Sequence, residues 1–170
     1  MKSLVVYESW FGNTRKVAEA IADALRAAGD VAVASVADPP PPADDFGLLV
    51  LGGPTHVHGL SSSMSRRSAQ QQLGLPATET PGLRTYVRDL PPVEHRYAAV
   101  FDTRFEKSAF LTGSAAHSLA KQLKRRGYEL LVPPESFFVL DTEGPLKDGE
   151  VARAAAWAGK IVEQALLPAA

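Results

Sequence analysis

A short apolar run that meets a small-residue loop and then an amphipathic helix constrains this chain more than any other feature. Ser3-Leu4-Val5-Val6-Tyr7 reads as a strand, Glu8-Ser9-Trp10-Phe11-Gly12-Asn13-Thr14 as the loop, and Arg15 to Ala28 as the helix. Val17, Ile21, Ala24, Leu25 and Ala28 fall on one helical face, as turns of 3.6 residues require. Gly29-Asp30 then stops the helix as a left-handed cap would. Such a loop presents unpaired backbone N–H groups at a helix N-terminus, where the dipole and the free donors both favour an anion. Ser9 and Thr14 add hydroxyls, and Gly12 lets the backbone come close. A phosphate is the first ligand to expect; the alternative is a tight strand-to-helix turn that binds nothing.

The rest of the sequence narrows what that loop can serve. There is no G-x-G-x-x-G and no G-x-x-x-x-G-K-[ST], so dinucleotide-binding and nucleoside-triphosphatase fingerprints are absent. The absence of cysteine excludes disulfides, thiolate metal sites and a cysteine-based phosphatase. A net charge of −1 and a pI of about 6.4 supply no basic field for nucleic acid. With 170 residues, 45% of them hydrophobic and 22% charged, one core and one domain over 1–170 are expected. No run reaches membrane-spanning length and no basic, then apolar leader opens the chain, so a cytoplasmic protein is the expectation.

Strands and helices alternate along the chain. Val31–Val36 is a second strand; Asp38-Pro39-Pro40-Pro41-Pro42-Ala43 is a stiff polyproline connector rather than a helix. Leu48–Leu51 is an uninterrupted apolar strand of the kind parallel sheets bury on both faces, ended by Gly52-Gly53-Pro54. Residues 61–80 are polar and weakly patterned and read as the least structured part, a candidate lid. Arg66 and Arg67 there read as a solvated basic pair, or as neighbours of an anionic ligand. A short helix follows through Leu83, Tyr86, Val87 and Leu90, then a fourth strand over Tyr97–Phe101 that delivers the loop Asp102-Thr103-Arg104-Phe105-Glu106-Lys107. Leu111-Thr112-Gly113-Ser114 caps the next helix, whose buried face is Ala116, Leu119, Ala120 and Leu123. Leu130–Val132 and Phe137–Leu140 make a fifth strand split by Pro133-Pro134, with one half at an edge. Asp148 caps a last helix facing inward through Val151, Ala155, Ala158, Val162 and Ala165, with Trp157 packing beside that face. The alternation argues a three-layer α/β domain with right-handed crossovers, whose ligands gather at the carboxyl ends of the strands.

Two loops resemble a known family. Ser9-x-x-Gly12-Asn13-Thr14 directly after the first strand resembles the flavodoxin loop that holds the phosphate of FMN, with Phe11 where the family usually has a third hydroxyl. Gly52-x-Pro54-Thr55 resembles the flavodoxin loop that wraps one side of the flavin ring. The resemblance implies a five-stranded parallel sheet of order 2-1-3-4-5, the short form without an insertion in the fifth strand. It implies FMN as cofactor, with Ser9, Gly12, Asn13 and Thr14 at the phosphate and Trp10 and Phe11 of the same loop among the cofactor-binding residues. Pro54, Thr55, His56, Val57, His58 and Gly59, with Asp102, Thr103 and Arg104, would lie around the ring. His56-x-His58 could also suggest a metal, but no third ligand stands nearby. Arg104 at the ring would stabilise negative charge on the reduced flavin; the alternative is a salt bridge to Asp102 or Glu106.

The function implied is electron transfer, as a carrier rather than an enzyme with its own substrate. The partners would be a flavin reductase and an acceptor protein or small quinone. Two alternatives stay open: an FMN-dependent NAD(P)H:quinone reductase, and a non-redox member of the fold that has lost FMN.

Overall fold

The computed structural model describes residues 1–56, 59–76, 79, 81–106 and 113–167. Its centre is a parallel sheet in the order β2-β1-β3-β4-β5, with a sixth segment, β6, also paired to β4. The segments are β1 (Ser3–Tyr7), β2 (Val31–Ser35), β3 (Leu48–Pro54), β4 (Arg96–Phe105), β5 (Tyr128–Leu130) and β6 (Glu135–Val139). β1 holds the middle of the register, pairing Val5 with Val33 on one side and with Val50 on the other. The expected order 2-1-3-4-5 is therefore found.

The fifth position is filled twice. β5 pairs with Arg96–Ala98 and β6 with Phe101–Phe105 of β4, and Pro133-Pro134, which lack N–H donors, lie between them. Both halves lie beside β4, whereas only one was expected at an edge.

Helices cover both faces. α1 (Asn13–Leu25) and α5 (Glu150–Leu166) pack on one side; α3 (Leu83–Asp89) and α4 (Ala115–Arg125) pack on the other, and α2 (Ser63–Gln72) precedes α3. The α1 face buries Val17, Ala18, Ile21, Ala22 and Leu25 against Val5, Val50 and Phe101. On the opposite face Leu4, Val6, Leu49 and Leu51 meet Leu83, Val87, Leu119 and Leu123. Phe101, Phe137 and Trp157 meet edge to face with centroids 5.9 to 6.2 Å apart.

Several expected boundaries move. Residues 63–72 form a helix, α2, started by a reciprocal Ser62–Ser65 capping box. β3 runs through Gly52-Gly53-Pro54 instead of stopping before them, and β4 runs four residues past Phe101. α5 starts after Gly149, without the Asp148 side-chain cap, and buries Ala154, Trp157, Ala158 and Ile161. Val151, expected inside, is half exposed, because the large Trp157 ring sets which face turns to the sheet. The expected caps Leu111 and Thr112 lie outside the described residues, while Ser114 caps α4 as anticipated, its hydroxyl accepting from His117 N–H at 3.2 Å.

Candidate functional site

The loop after β1 is built around its anion-ready end. Gly12 is the N-cap of α1 in the left-handed region, φ 84°, where glycine carries no Cβ penalty. Among the described residues the N–H groups of Trp10, Phe11, Gly12, Asn13 and Thr14 have no intramolecular acceptor; the next one, Arg15 N–H, donates to Ser9 Oγ at 3.2 Å. Five free donors beside the positive end of a helix are an arrangement that suits an anion. Thr14 is buried and its hydroxyl is bonded to that of Thr103 at 2.7 Å, which ties α1 to β4 beneath the loop. Asn13 Nδ2 donates to the carbonyl of Glu143 at 3.0 Å and so draws in the turn after β6.

Glu8, which the sequence reading assigned no role, is the organising side chain behind this loop. Its buried carboxylate accepts from Ser61 Oγ at 2.5 Å, from Leu83 N–H at 3.0 Å and from Trp10 Nε1 at 3.2 Å. One side chain thus joins the end of β1, the chain before α2, the start of α3 and an indole of the loop.

The ends of β3 and β4 supply the opposite wall. Thr55 N–H donates to Thr103 O at 2.9 Å and continues the ladder. Asp102 turns away from the cleft: its Oδ2 accepts from Ser114 Oγ at 2.6 Å, Thr55 Oγ1 at 3.0 Å and Ala116 N–H at 3.0 Å. Asp102 is fully buried and anchors α4. Arg104 reaches Ser136 Oγ at 3.0 Å through Nε, stands 3.8 Å from Asp102 Oδ1 and lies over the Phe138 ring. The salt bridge weighed for Arg104 is therefore present, with Asp102. His56 and Gly59 exchange backbone hydrogen bonds of 2.8 and 2.9 Å; Val57 and His58 lie outside the described residues. The His56 ring is largely buried, and burial lowers its pKa, with Glu8 opposing part of that shift.

These elements enclose a cleft with about 80 Å³ of interior space. Ser9, Trp10, Phe11, Asn13, Thr14, Pro54, Thr55, His56, Thr103 and Arg104 line it, joined by Phe105, Val139 and Thr142. The last three were not anticipated, although the rule that ligands gather at strand carboxyl ends points equally to the end of β6. Gly12, Gly59 and Asp102, which were anticipated, are not in the wall. A larger cavity of about 490 Å³ lies between Pro39–Pro42 and α3. Its wall is apolar with carboxylates at Asp38, Asp44 and Asp89, a lining that repels a phosphate. Among the described residues no cluster of three His, Asp or Glu side chains could hold a metal, and no helix is long and apolar enough to cross a membrane.

Residues 4–78 match the flavodoxin domain family. Over 96% of this chain the fold superposes on a flavodoxin from the domain Archaea, with a TM-score of 0.67, 20% identity and 98% of that chain covered. Flavodoxin 2 from Bacillus cereus gives the same identity and TM-score, with 96% of this chain and 99% of that one covered. A WrbA-like flavodoxin from Agrobacterium tumefaciens is 15% identical with a TM-score of 0.59, over 95% of each chain. No curated protein sequence matches the chain.

Proposed function

We propose that this chain, which has the flavodoxin fold and carries a flavodoxin-domain sequence over residues 4–78, is a single FMN-binding domain that transfers electrons. The observation that carries the reading is the row of five unpartnered N–H groups from Trp10 to Thr14, all but Gly12 belonging to residues that line one cleft with the ends of β3 and β4. FMN fits that donor set: its phosphate takes backbone N–H groups, and its flat ring needs an apolar wall with a few polar groups. The interior is smaller than the ~300 Å³ and upward usual for drug-sized ligands. It suits the phosphate end, with the ring at the mouth beside Trp10, His56 and Phe105.

Bound FMN supplies one- and two-electron chemistry. The chain's residues bind and tune it. Trp10 to Thr14 hold the phosphate through backbone N–H, with the Ser9 hydroxyl beside them. Trp10, oriented by its bond to Glu8, and Pro54, Thr55 and Phe105 exclude water from the wall. A flavin reductase on one side and an acceptor protein or small quinone on the other are the partners this reading requires.

The test is an FMN titration of the purified protein, followed by quenching of flavin fluorescence. Binding at micromolar Kd or tighter, about 8 kcal/mol or more, is expected. Ser9→Ala should weaken it about tenfold by removing one hydroxyl from the anion site. Ser9 is the better choice than Thr14, because its Oγ only accepts from Arg15 N–H and keeps its own O–H for a ligand, whereas the buried Thr14 hydroxyl ties α1 to β4 through Thr103. An unquenched flavin would leave the chain a member of the fold without FMN.

Arg104 gives a second expected result. Its guanidinium is a cation in the cleft wall, so Arg104→Gln should lower the two-electron potential of bound FMN. The neighbouring Asp102 carboxylate, 3.8 Å away, offsets much of the charge. The change should therefore be small, on the order of 1 kcal/mol or about 20 mV, read by a dye-equilibrated reductive titration.

A further inference from the structure

We propose that the His56 imidazole couples reduction of the bound flavin to pH: it is neutral while the ring is oxidised and takes a proton at Nε2 when the reduced ring brings negative charge into the cleft. The inference rests on the FMN reading above and adds a proton site to it.

Three observations place this role on His56. His56 lines the cleft, directly after Thr55 and paired through its backbone with Gly59. Nε2 is buried and has no hydrogen-bond partner among the described residues, and a buried imidazole nitrogen left unpaired is costly unless a ligand group pairs with it. The surroundings also favour a neutral ring in the free protein, since burial disfavours the charged form more than Glu8 favours it.

The charged and titratable groups on the surrounding elements leave this balance open to one new charge. Glu8 stands at the end of β1, with its carboxylate bonded to Ser61, Trp10 and Leu83. From β4 come Arg104 and Asp102, which face each other at 3.8 Å. α2 contributes Arg66, directed to Ser61, and α3 contributes Arg84, which donates to Leu60 O. His117 at the start of α4 is exposed and bonded to Ser114. A negative charge arriving on the ring then shifts the nearest neutral base, because an opposite charge within a few ångströms favours the protonated form.

The step balances. Two electrons come from an external reductant, dithionite in the test, and the flavin takes the proton that accompanies them at its own nitrogen. One further proton passes from solvent to His56 Nε2. Lower pH then favours reduction, and the potential falls as pH rises between the titration points of His56 in the two states.

The experiment uses the full chain reconstituted with FMN. The histidine Cε1 resonance that disappears in His56→Gln, and in His56→Asn as a second variant, is titrated by NMR in the oxidised and the dithionite-reduced protein. Proton binding at least tenfold tighter in the reduced protein is expected. Between the two midpoints the wild-type potential should then fall more steeply with pH than that of His56→Gln, by about 30 mV per pH unit, which is one proton per two electrons. Identical midpoints in the two states, with FMN bound, overturn the role of His56 and leave the FMN reading standing. Failure to take up FMN, seen as missing flavin absorbance, overturns both.

Discussion

Gly52→Ala should destabilise the protein by about 3 kcal/mol or more and lower its melting temperature by roughly 6 to 12 °C. A Cβ at Gly52 would lie 1.9 Å from Cζ of Phe101 and 2.2 and 2.3 Å from its Cε atoms. Phe101 has no exposed surface and no room to move, since its ring packs edge to face on Phe137 and Trp157. The methyl group must displace a ring locked by two others, and packed interiors do not absorb such a change cheaply. Gly12→Ala makes the contrast. Gly12 also precedes a functional wall, but nothing lies within 4 Å of its Cβ position, so the cost should be only the left-handed conformation, about 1 kcal/mol. Urea unfolding of the two variants against wild type reads the difference, and equal losses would mean that Phe101 relaxes. Because Gly52 sits in β3 two residues before the cleft, FMN affinity should fall with its substitution.

The same glycine shows where sequence reading stopped. Gly52-Gly53-Pro54 has the composition of a turn, yet the first glycine is a strand residue whose missing side chain makes room for a phenylalanine one strand away. That demand is set by the neighbour and is invisible in local composition. The loop at Ser9 to Thr14 was legible because its signal is local: a strand, a glycine, hydroxyls and a helical face in continuous order. Thr103 and Arg104 were legible as a strand end, and Thr55 and His56 through the resemblance of their loop to that of the flavodoxins. Asp102 was placed in the neighbourhood but on the wrong side, because the apolar run ends at Phe101 while the strand continues to Phe105. Within that continuation side chains alternate, sending Asp102 toward α4 and Thr103 toward Thr14 of α1. α2 was missed for another reason. Its cap is a serine pair rather than the familiar serine and glutamate, and it buries only Ala69 and Gln70, so no apolar stripe marks it. In α5 an alanine-rich sequence offers several faces, and the choice among them is made by its own Trp157, whose ring packs on Phe101 and Phe137 of the sheet.

Asp102→Ala should have the larger effect of any substitution around the cleft, a loss of about 3–5 kcal/mol. The carboxylate is fully buried, and its removal leaves Ser114 Oγ, Thr55 Oγ1 and the Ala116 N–H without their shared acceptor. It also leaves Arg104 without the carboxylate 3.8 Å away. Asp102→Asn keeps one acceptor oxygen in the same shape, so its loss should be intermediate, and thermal unfolding of the pair separates the bonds from the charge. The charge has a second readout. With the carboxylate gone, the Arg104 cation loses the offset that Asp102 provides, so bound FMN in Asp102→Asn should be easier to reduce. Its potential should rise, opposite in sign to the fall expected for Arg104→Gln. In the double variant both charges are absent, and the potential should return close to that of wild type. A potential that falls in Asp102→Asn would mean that the cleft does not sense the Asp102–Arg104 pair as charge, and that these residues serve only to fasten α4 and β6 to the end of β4.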